Sequence, residues 1–180
     1  MSIGAAIGFA LGRFQTIERW IGLWVSVLLN IPALVVIVLC YVWLGLSEVA
    51  AILAVTINKI PTVVVTIREG VKALDRSLDE LTQVYRVPFG VKLRHVWLPQ
   101  LVPYVASAAR NGIALIWKIV LVVEFLGRSN GVGFQIHLYF QNFDVAKILV
   151  YAISFVAVML AVEILILKPL EKRSHQWRQQ

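Results

Sequence analysis

Thiols, clustered histidines and acidic residues are all scarce in this chain, and each shortage removes a class of function. Cys40 is the single cysteine among 180 residues, which excludes a disulfide framework and leaves no thiol pair for redox or metal work. It lies inside an apolar run, where a free thiol behaves as a small buried hydrophobe. His95, His137 and His175 are scattered, so interfacial or solvated roles are expected of them and no metal site is predicted. There is no GxxxxGK[ST] phosphate loop. Nor is there a cluster of His, Asp or Glu such as a membrane-embedded enzyme would carry, so no catalytic residue is predicted. Charge is sparse at 15% of residues, and the acids are outnumbered, 10 Asp and Glu against 17 Lys and Arg.

Apolar surface is abundant instead. A hydrophobic fraction of 59% and a mean hydropathy of +0.81 exceed what a soluble domain of this length exposes or buries, so an integral membrane protein is expected. A net charge of +7 and a pI near 9.9 would suggest nucleic acid as partner to a soluble protein. Here most cations fall in short segments between apolar runs, which the positive-inside rule accounts for. Membrane lipid, not nucleic acid, is the expected neighbour.

Four runs are long enough for about 20 residues per span. Trp20 to Ser47 has no charged residue and is interrupted by Pro32. Glu48 to Ile67 holds Asn58, Lys59 and Pro61, which are expected to break it in mid-membrane. Leu101 to Leu126 contains Arg110, Lys118 and Glu124, and Ala146 to Leu167 contains Glu163. The fold class is therefore all-α and polytopic, about four full transmembrane helices in a single transmembrane domain over residues 1–180. The opening "MSIGAAIGFALG" is too short to span and has no cationic segment before it, so it is read as a stub of an additional helix rather than a signal peptide.

Cations set the orientation. Arg13 and Arg19, then Arg68, Lys72, Arg76, Arg86, Lys92 and Arg94, then Lys168, Lys172, Arg173 and Arg178 fall on one side of four spans, against Arg128 and Lys147 on the other. The richer side is the cytoplasm. Gly127 to Asp144 then faces outward as a Gly-hinged, aromatic-rich segment with a short interfacial helix. Residues 69–98 form a cytoplasmic insert. Val71, Leu74, Leu78, Leu81 and Val84 or Tyr85 recur at helical steps on one apolar face, Pro88 and Gly90 break the helix, and a second short helix follows. Lipid headgroups could receive such a pair, but Asp75, Asp79 and Glu80 would be repelled by anionic lipid, which favours a protein partner.

The spacing of Glu80, Val96, Leu98 and Pro99 resembles the EAA loop of ABC importer permeases. That pattern is Glu-Ala-Ala, a glycine four residues after the second Ala, and a hydrophobic-x-Leu-Pro ending. Leu81 and Thr82 stand where the alanines belong, and Arg86 where the glycine belongs. The segments "IPALVVIVLCYVWLGLSE", "LPQLVPYVASAARNGIALIWKIVLVVEFLG" and "NGVGFQI" are similar to nitrate/sulfonate/bicarbonate (taurine-type) permeases, a resemblance covering about residues 3 to 178. It implies a bacterial inner-membrane permease subunit whose partners are a second permease copy, two cytoplasmic ATPase subunits and a periplasmic or lipid-anchored substrate-binding protein. ATP and Mg would be bound by the ATPase, with no cofactor on this chain. Asp79, Glu80, Arg86, Gly90, Val96, Leu98 and Pro99 would make the ATPase-coupling surface, with Glu80 facing a basic group there. Family members usually have about six spans, so the resemblance implies that the first and part of the second are missing.

Ionisable groups at membrane depth are the remaining signal. On a helical wheel Arg110, Trp117 and Glu124 share one stripe and Ser107, Asn111, Ala114 and Lys118 the adjoining one. Ile113, Ile116, Ile119, Val120 and Val123 form the opposite arc, which is expected to meet lipid. Such charges line pathways or pair with each other. Lys59, Ser107, Arg110, Asn111, Trp117, Lys118 and Glu124 are the candidate pathway residues. A structural seam pairing Glu124 or Glu163 with Lys118 or Arg110 is the alternative, and Lys59 could snorkel instead. The substrate expected is a small anion or polar organic nutrient. The rival readings are an importer of a neutral or cationic solute and an ATPase-independent channel or enzyme.

Overall fold

The computed structural model describes residues 1–169, and all regular structure among them is helical. Nine α-helices follow one another: α1 Ser2–Arg13, α2 Gln15–Asn30, α3 Ala33–Leu44, α4 Glu48–Lys72, α5 Arg76–Val84, α6 Phe89–Lys92, α7 Leu98–Gly127, α8 Val132–Gln141 and α9 Val145–Val162. A π-helical turn, Leu93–Trp97, joins α6 to α7, and another, Glu163–Leu167, extends α9. The expected cations Lys172, Arg173 and Arg178, and His175, lie outside the described residues. By length and apolarity α4 and the helix Val145–Leu165 qualify as spans, and α2 with α3 would add one if the pair crosses as a single segment. Leu98–Gly127 carries Arg110, Lys118 and Glu124 within 30 residues and is not among them.

Two sequence expectations change. Trp20 to Ser47 is not one helix: the chain leaves helical geometry after Asn30 and restarts at Ala33. Pro32 explains this, because its ring disfavours the helical conformation at Ile31 and its own fixed φ of −57° suits the position just before a new helix. Conversely, Asn58, Lys59 and Pro61 do not break α4, which runs unbroken over 25 residues. Proline removes one backbone hydrogen bond, and spanning helices tolerate it where packing holds the flanks. Val63 and Val64, within the next turn after Pro61, are both almost wholly buried.

The described chain divides into two compact units. The first comprises Met1–Asn30 and Ile60–Asn111, the second Ile31–Lys59 and the residues from Gly112 onward. Helices α4 and α7 each contribute one part to either unit.

In the first unit, α1 lies on the later half of α4. Gly4, Gly8 and Gly12 recur every four residues, so they form one stripe on α1, and they meet Val63, Val64 and Val71. A Cβ on Gly8 would stand 2.6 Å from the Val64 carbonyl oxygen. The backbones are therefore close enough that only glycine fits. Lipid tails are as apolar as leucine, so helices in a membrane associate by such close packing rather than by expulsion of water. Leu11, Val25 and Val64 form one buried cluster beside this seam, and Val63, Ile67, Val71 and Leu101 another. Glu18 on α2 pairs with Lys72 and lies 3.8 Å from the Arg68 guanidinium.

In the second unit, Ile37, Cys40, Tyr41, Ala50, Ala54, Ile119 and Val123 make the core. Cys40 is buried there, as expected of a small hydrophobe. The arc of α7 expected to meet lipid thus packs on α3 and α4 at Ile119 and Val123, because alanines at 50 and 54 let it approach. Tyr41 donates its hydroxyl to the Val123 carbonyl at 3.0 Å. The short helix expected between Gly127 and Asp144 is α8. Gly131, at φ 105°, opens it in a conformation that side chains resist. Asp144 caps α9 by accepting from the Lys147 N–H at 3.2 Å. None of α9 is buried, as suits a helix whose sides meet lipid.

The α1 seam yields a contrast. Gly8→Ala should lower the thermal midpoint of the detergent-solubilised protein, by an overpacking cost of about 1–3 kcal/mol. Gly22→Ala, whose Cβ would meet only the Glu18 Cγ at 3.6 Å, should hold or raise it, since alanine is the better helix former by roughly 0.5–1 kcal/mol.

Candidate functional site

The insert is built by three local devices. Asp75 caps α5, its Oδ1 accepting from the Ser77 N–H at 2.8 Å, while its own N–H donates to the Gln100 Oε1 at 2.9 Å. Arg86 ends the turn after α5 with φ 49°, a left-handed conformation that glycine adopts most cheaply. Pro88 then starts α6, its fixed φ matching the entry.

Asp79 joins these pieces. Its Oδ1 lies 2.6 Å from the Lys92 Nζ and accepts from the Trp97 Nε1 at 3.0 Å. Its Oδ2 lies 3.8 Å from the Arg13 guanidinium of α1. Its backbone carbonyl accepts from the buried Thr82 hydroxyl at 2.7 Å. The Trp97 ring has Lys92 at 4.9 Å and Arg13 at 5.3 Å from its centroid, with Phe9 and Phe89 packed beside it. The Lys92 ammonium, helped by the Trp97 N–H and the Arg13 charge, holds the Asp79 carboxyl below the usual aspartate range. Lys92 is only 8% exposed, a burial that a lysine tolerates when its charge is paired. Beside this knot lies a cleft of about 440 Å³ lined in part by Phe9, Arg13, Glu18, Lys72, Asp79 and Trp97.

The outer face of the insert is left open. Val71 is buried and Leu74 half-buried in the first unit, so the apolar stripe predicted to run from Val71 to Tyr85 divides. Leu78, Leu81, Val84, Tyr85 and Phe89 are exposed, Val84 and Tyr85 at 77% each. Glu80, Arg86 and Gly90 are exposed among them, as are Leu98 and Pro99, while Val96 is half-buried.

The candidate pathway residues fall in both units. In the first, Ser107 and Asn111 are exposed and Arg110 is half-buried. In the second, Lys59 lies over Gly112, where a Cβ would stand 2.5 Å from the lysine Cε. Trp117 packs edge-on against Phe155 at 6.1 Å, and Lys118 is exposed. Glu124 accepts from the Gly133 N–H at 2.9 Å, so it satisfies an orphan donor at the start of α8. Arg128, just beyond, bonds Glu48 at 2.7 Å, which raises its already high pKa further. The cations assigned to the outer side are thus both matched to acids, Arg128 to Glu48 and Lys147 to Asp144. Among the described residues no group of three or more His, Cys, Asp or Glu could hold a metal.

Residues 2–170 match the family described as the binding-protein-dependent transport system inner membrane component. The chain belongs to that family. It is a multi-pass membrane permease, a transport component and not an enzyme. The permease is 25% identical, over 99% of its length and 71% of the relative's, to a protein of Brucella abortus (strain 2308) named as an ABC transporter permease. It is 27% identical over 74% of its length to the Bacillus subtilis (strain 168) protein named as an aliphatic sulfonates transport permease, SsuC, covering 49% of that relative. To the taurine transport system permease TauC of Escherichia coli (strain K12) it is 22% identical over 97% of its length, covering 63%.

Sequence reasoning named Asp79 but missed its partners in this permease. Lys92 and Trp97 are five residues apart, about 140° around an α-helix, so helical periodicity does not group them. The π-helical turn Leu93–Trp97 inserts the extra residue that lets both reach one carboxylate. Arg13 is distant in sequence, and Gly112 draws attention only as a glycine inside a long helix.

Because the Asp79 carboxyl is depressed, the stability it lends is present above the ordinary aspartate pKa of about 4 and is lost as pH falls below it. Protection of the α5 amides, corrected for the intrinsic pH dependence of exchange, should fall as pH drops through that window. Asp79→Asn should show fast exchange already at neutral pH, by about 3–5 kcal/mol if Lys92 is stranded without its partner. Acid should then add only what the Asp75 cap contributes.

Proposed function

We propose that this permease is the membrane subunit of an ATP-driven, binding-protein-dependent importer in the bacterial inner membrane. Two copies form the pathway, and the α5–α6 insert of each seats in one of two cytoplasmic ATPase subunits. A periplasmic or lipid-anchored binding protein delivers the substrate. ATP and Mg are bound by the ATPase, since the chain has no phosphate loop.

The observation that carries this is the pairing of a fixed frame with an open face. Asp79 ties α5 to Lys92, Trp97 and Arg13, while Leu81, Val84, Tyr85 and Phe89 stay exposed on the other side. A rigid element can transmit a rigid-body movement of a partner, which a slack loop would absorb. Exposed aromatic and aliphatic side chains ringed by Glu80 and Arg86 suit a protein groove better than a headgroup layer. The left-handed Arg86, at the position where the resembling loop carries glycine, supports a shared backbone course. Glu80 faces a basic group of the ATPase, and Gly90, Val96, Leu98 and Pro99 complete the coupling segment.

Relatives named for sulfonates and taurine support a small anion as the substrate. Lys59, Ser107, Arg110, Asn111, Trp117, Lys118 and Glu124 supply the pathway, where a surplus of cations over the one acid favours an anion. Ion pairs joining Glu18 with Arg68 and Lys72, and Arg13 with Asp79, draw together the cationic segments assigned to the cytoplasm.

Glu80→Ala should reduce co-purification of the ATPase subunits and substrate uptake together, while leaving the amount of permease in the membrane unchanged. Unaltered docking and uptake would refute the coupling role. A cysteine at Ser129 should react with an impermeant thiol reagent outside intact cells and one at Ser77 should not; the reverse pattern would place the insert on the wrong side for an ATPase.

A further inference from the structure

Lys59 is the twelfth residue of the 25-residue α4, so at 1.5 Å per residue it stands about 17 Å from the helix start, near the middle of a span. A charge at that depth is costly and faces a bundle interior or a water-filled cavity. Lys59 is half-buried, and no carboxylate among the described residues pairs with it. Its stem crosses α7 at Gly112, itself buried in the middle of a long helix where glycine is a poor choice. The choice has a local reason: a Cβ at 112 would lie 2.5 Å from the lysine Cε and 2.7 Å from Nζ. The missing side chain is a notch, and the end of Lys59 fills it. A lysine that merely snorkelled would extend its stem along the helix toward an interface, whereas this one is laid sideways against a neighbouring helix.

We propose that Lys59, seated in the Gly112 notch, is an oxyanion-binding position at membrane depth, with Gly112 as its positioning residue. The ammonium supplies up to three hydrogen-bond donors and a full positive charge to a sulfonate, nitrate or similar singly charged oxyanion. The notch fixes where that charge stands. This rests on the pathway reading, and requires the notch to be wetted in at least one state of the transport cycle. Because the atoms a Cβ would meet are the mobile end of a side chain, substitution at 112 moves the ammonium rather than the helices.

The experiment measures charge directly and needs no knowledge of the substrate. In the assembled transporter in membranes, with Cys40→Ala and the Gly112 notch left intact, an Ile116→Cys variant, one turn along the same face of α7 and half-buried, is treated with sulfonatoethyl and with trimethylammonioethyl methanethiosulfonate, and the ratio of the two rates is recorded. Taking the ratio cancels the effect of the ammonium on thiol ionisation. The ratio should favour the anionic reagent, be retained in Lys59→Arg and fall about tenfold or more in Lys59→Gln, since a neighbouring charge acts on the two reagents with opposite sign. If both reagents react but the ratio ignores residue 59, the oxyanion position is refuted while an aqueous pathway stands. If neither reagent reacts in any nucleotide state, this face of α7 is dry and the pathway reading fails with it. Should Ile116→Cys not assemble, Leu115→Cys, three residues from Gly112 on the same face and half-buried, takes its place under the same criteria.

Discussion

One carboxylate decides the form of the insert. Asp79 accepts from an ammonium and an indole N–H on one oxygen and faces a guanidinium with the other. With the Trp97 ring, against which Phe9 and Arg13 of α1 pack, it ties α1, α5 and the segment entering α7 together. Without it, Lys92 would be a buried cation with nothing to balance it, and that penalty makes the arrangement cooperative. The exposed row Leu81, Val84, Tyr85 and Phe89 keeps its position because the polar groups behind it cannot separate cheaply. A coupling element needs this combination, with polar bonds fixing the inner side and apolar surface left over on the outer side.

Elsewhere close approach does the work that expulsion of water does in soluble proteins. Gly4, Gly8 and Gly12 bring α1 onto α4, Ala50 and Ala54 admit α7, and Gly112 admits the stem of Lys59. Small residues thus serve two purposes, seating helices against each other and making room for a charge. Glu124 shows the same economy with a polar group: its side chain satisfies the backbone at the start of α8, which assigns it a structural bond whatever field it adds to a pathway. Neither Lys118 nor Arg110 is needed to explain its position.

How much of this the sequence disclosed depended on whether the signal was local and periodic. Helix class, the short helix α8, the break after α5 and the burial of Cys40 follow from hydropathy, proline and glycine, all readable within a few residues. Proline misled in both directions. Pro32 ended a helix in a run without charges, whereas Pro61 sat inside one, because the outcome depends on the packing of its flanks and not on the residue. The Ile119 and Val123 face looked lipid-exposed because a lipid tail and a neighbouring apolar helix select the same side chains. The Asp79 knot was hidden by a π-helical turn that breaks the spacing rule and by a partner, Arg13, more than sixty positions away. The Gly112 notch was hidden because a missing side chain has no periodicity.

The central claim is that the insert is where this permease meets its ATPase, and amide hydrogen exchange of the permease alone and with its ATPase subunits tests it most directly. Protection should rise across Leu78 to Gly90 on assembly, with α8 and α9 unchanged. If exchange in that stretch is the same with and without the ATPase while protection appears on another surface, the insert is not the docking element.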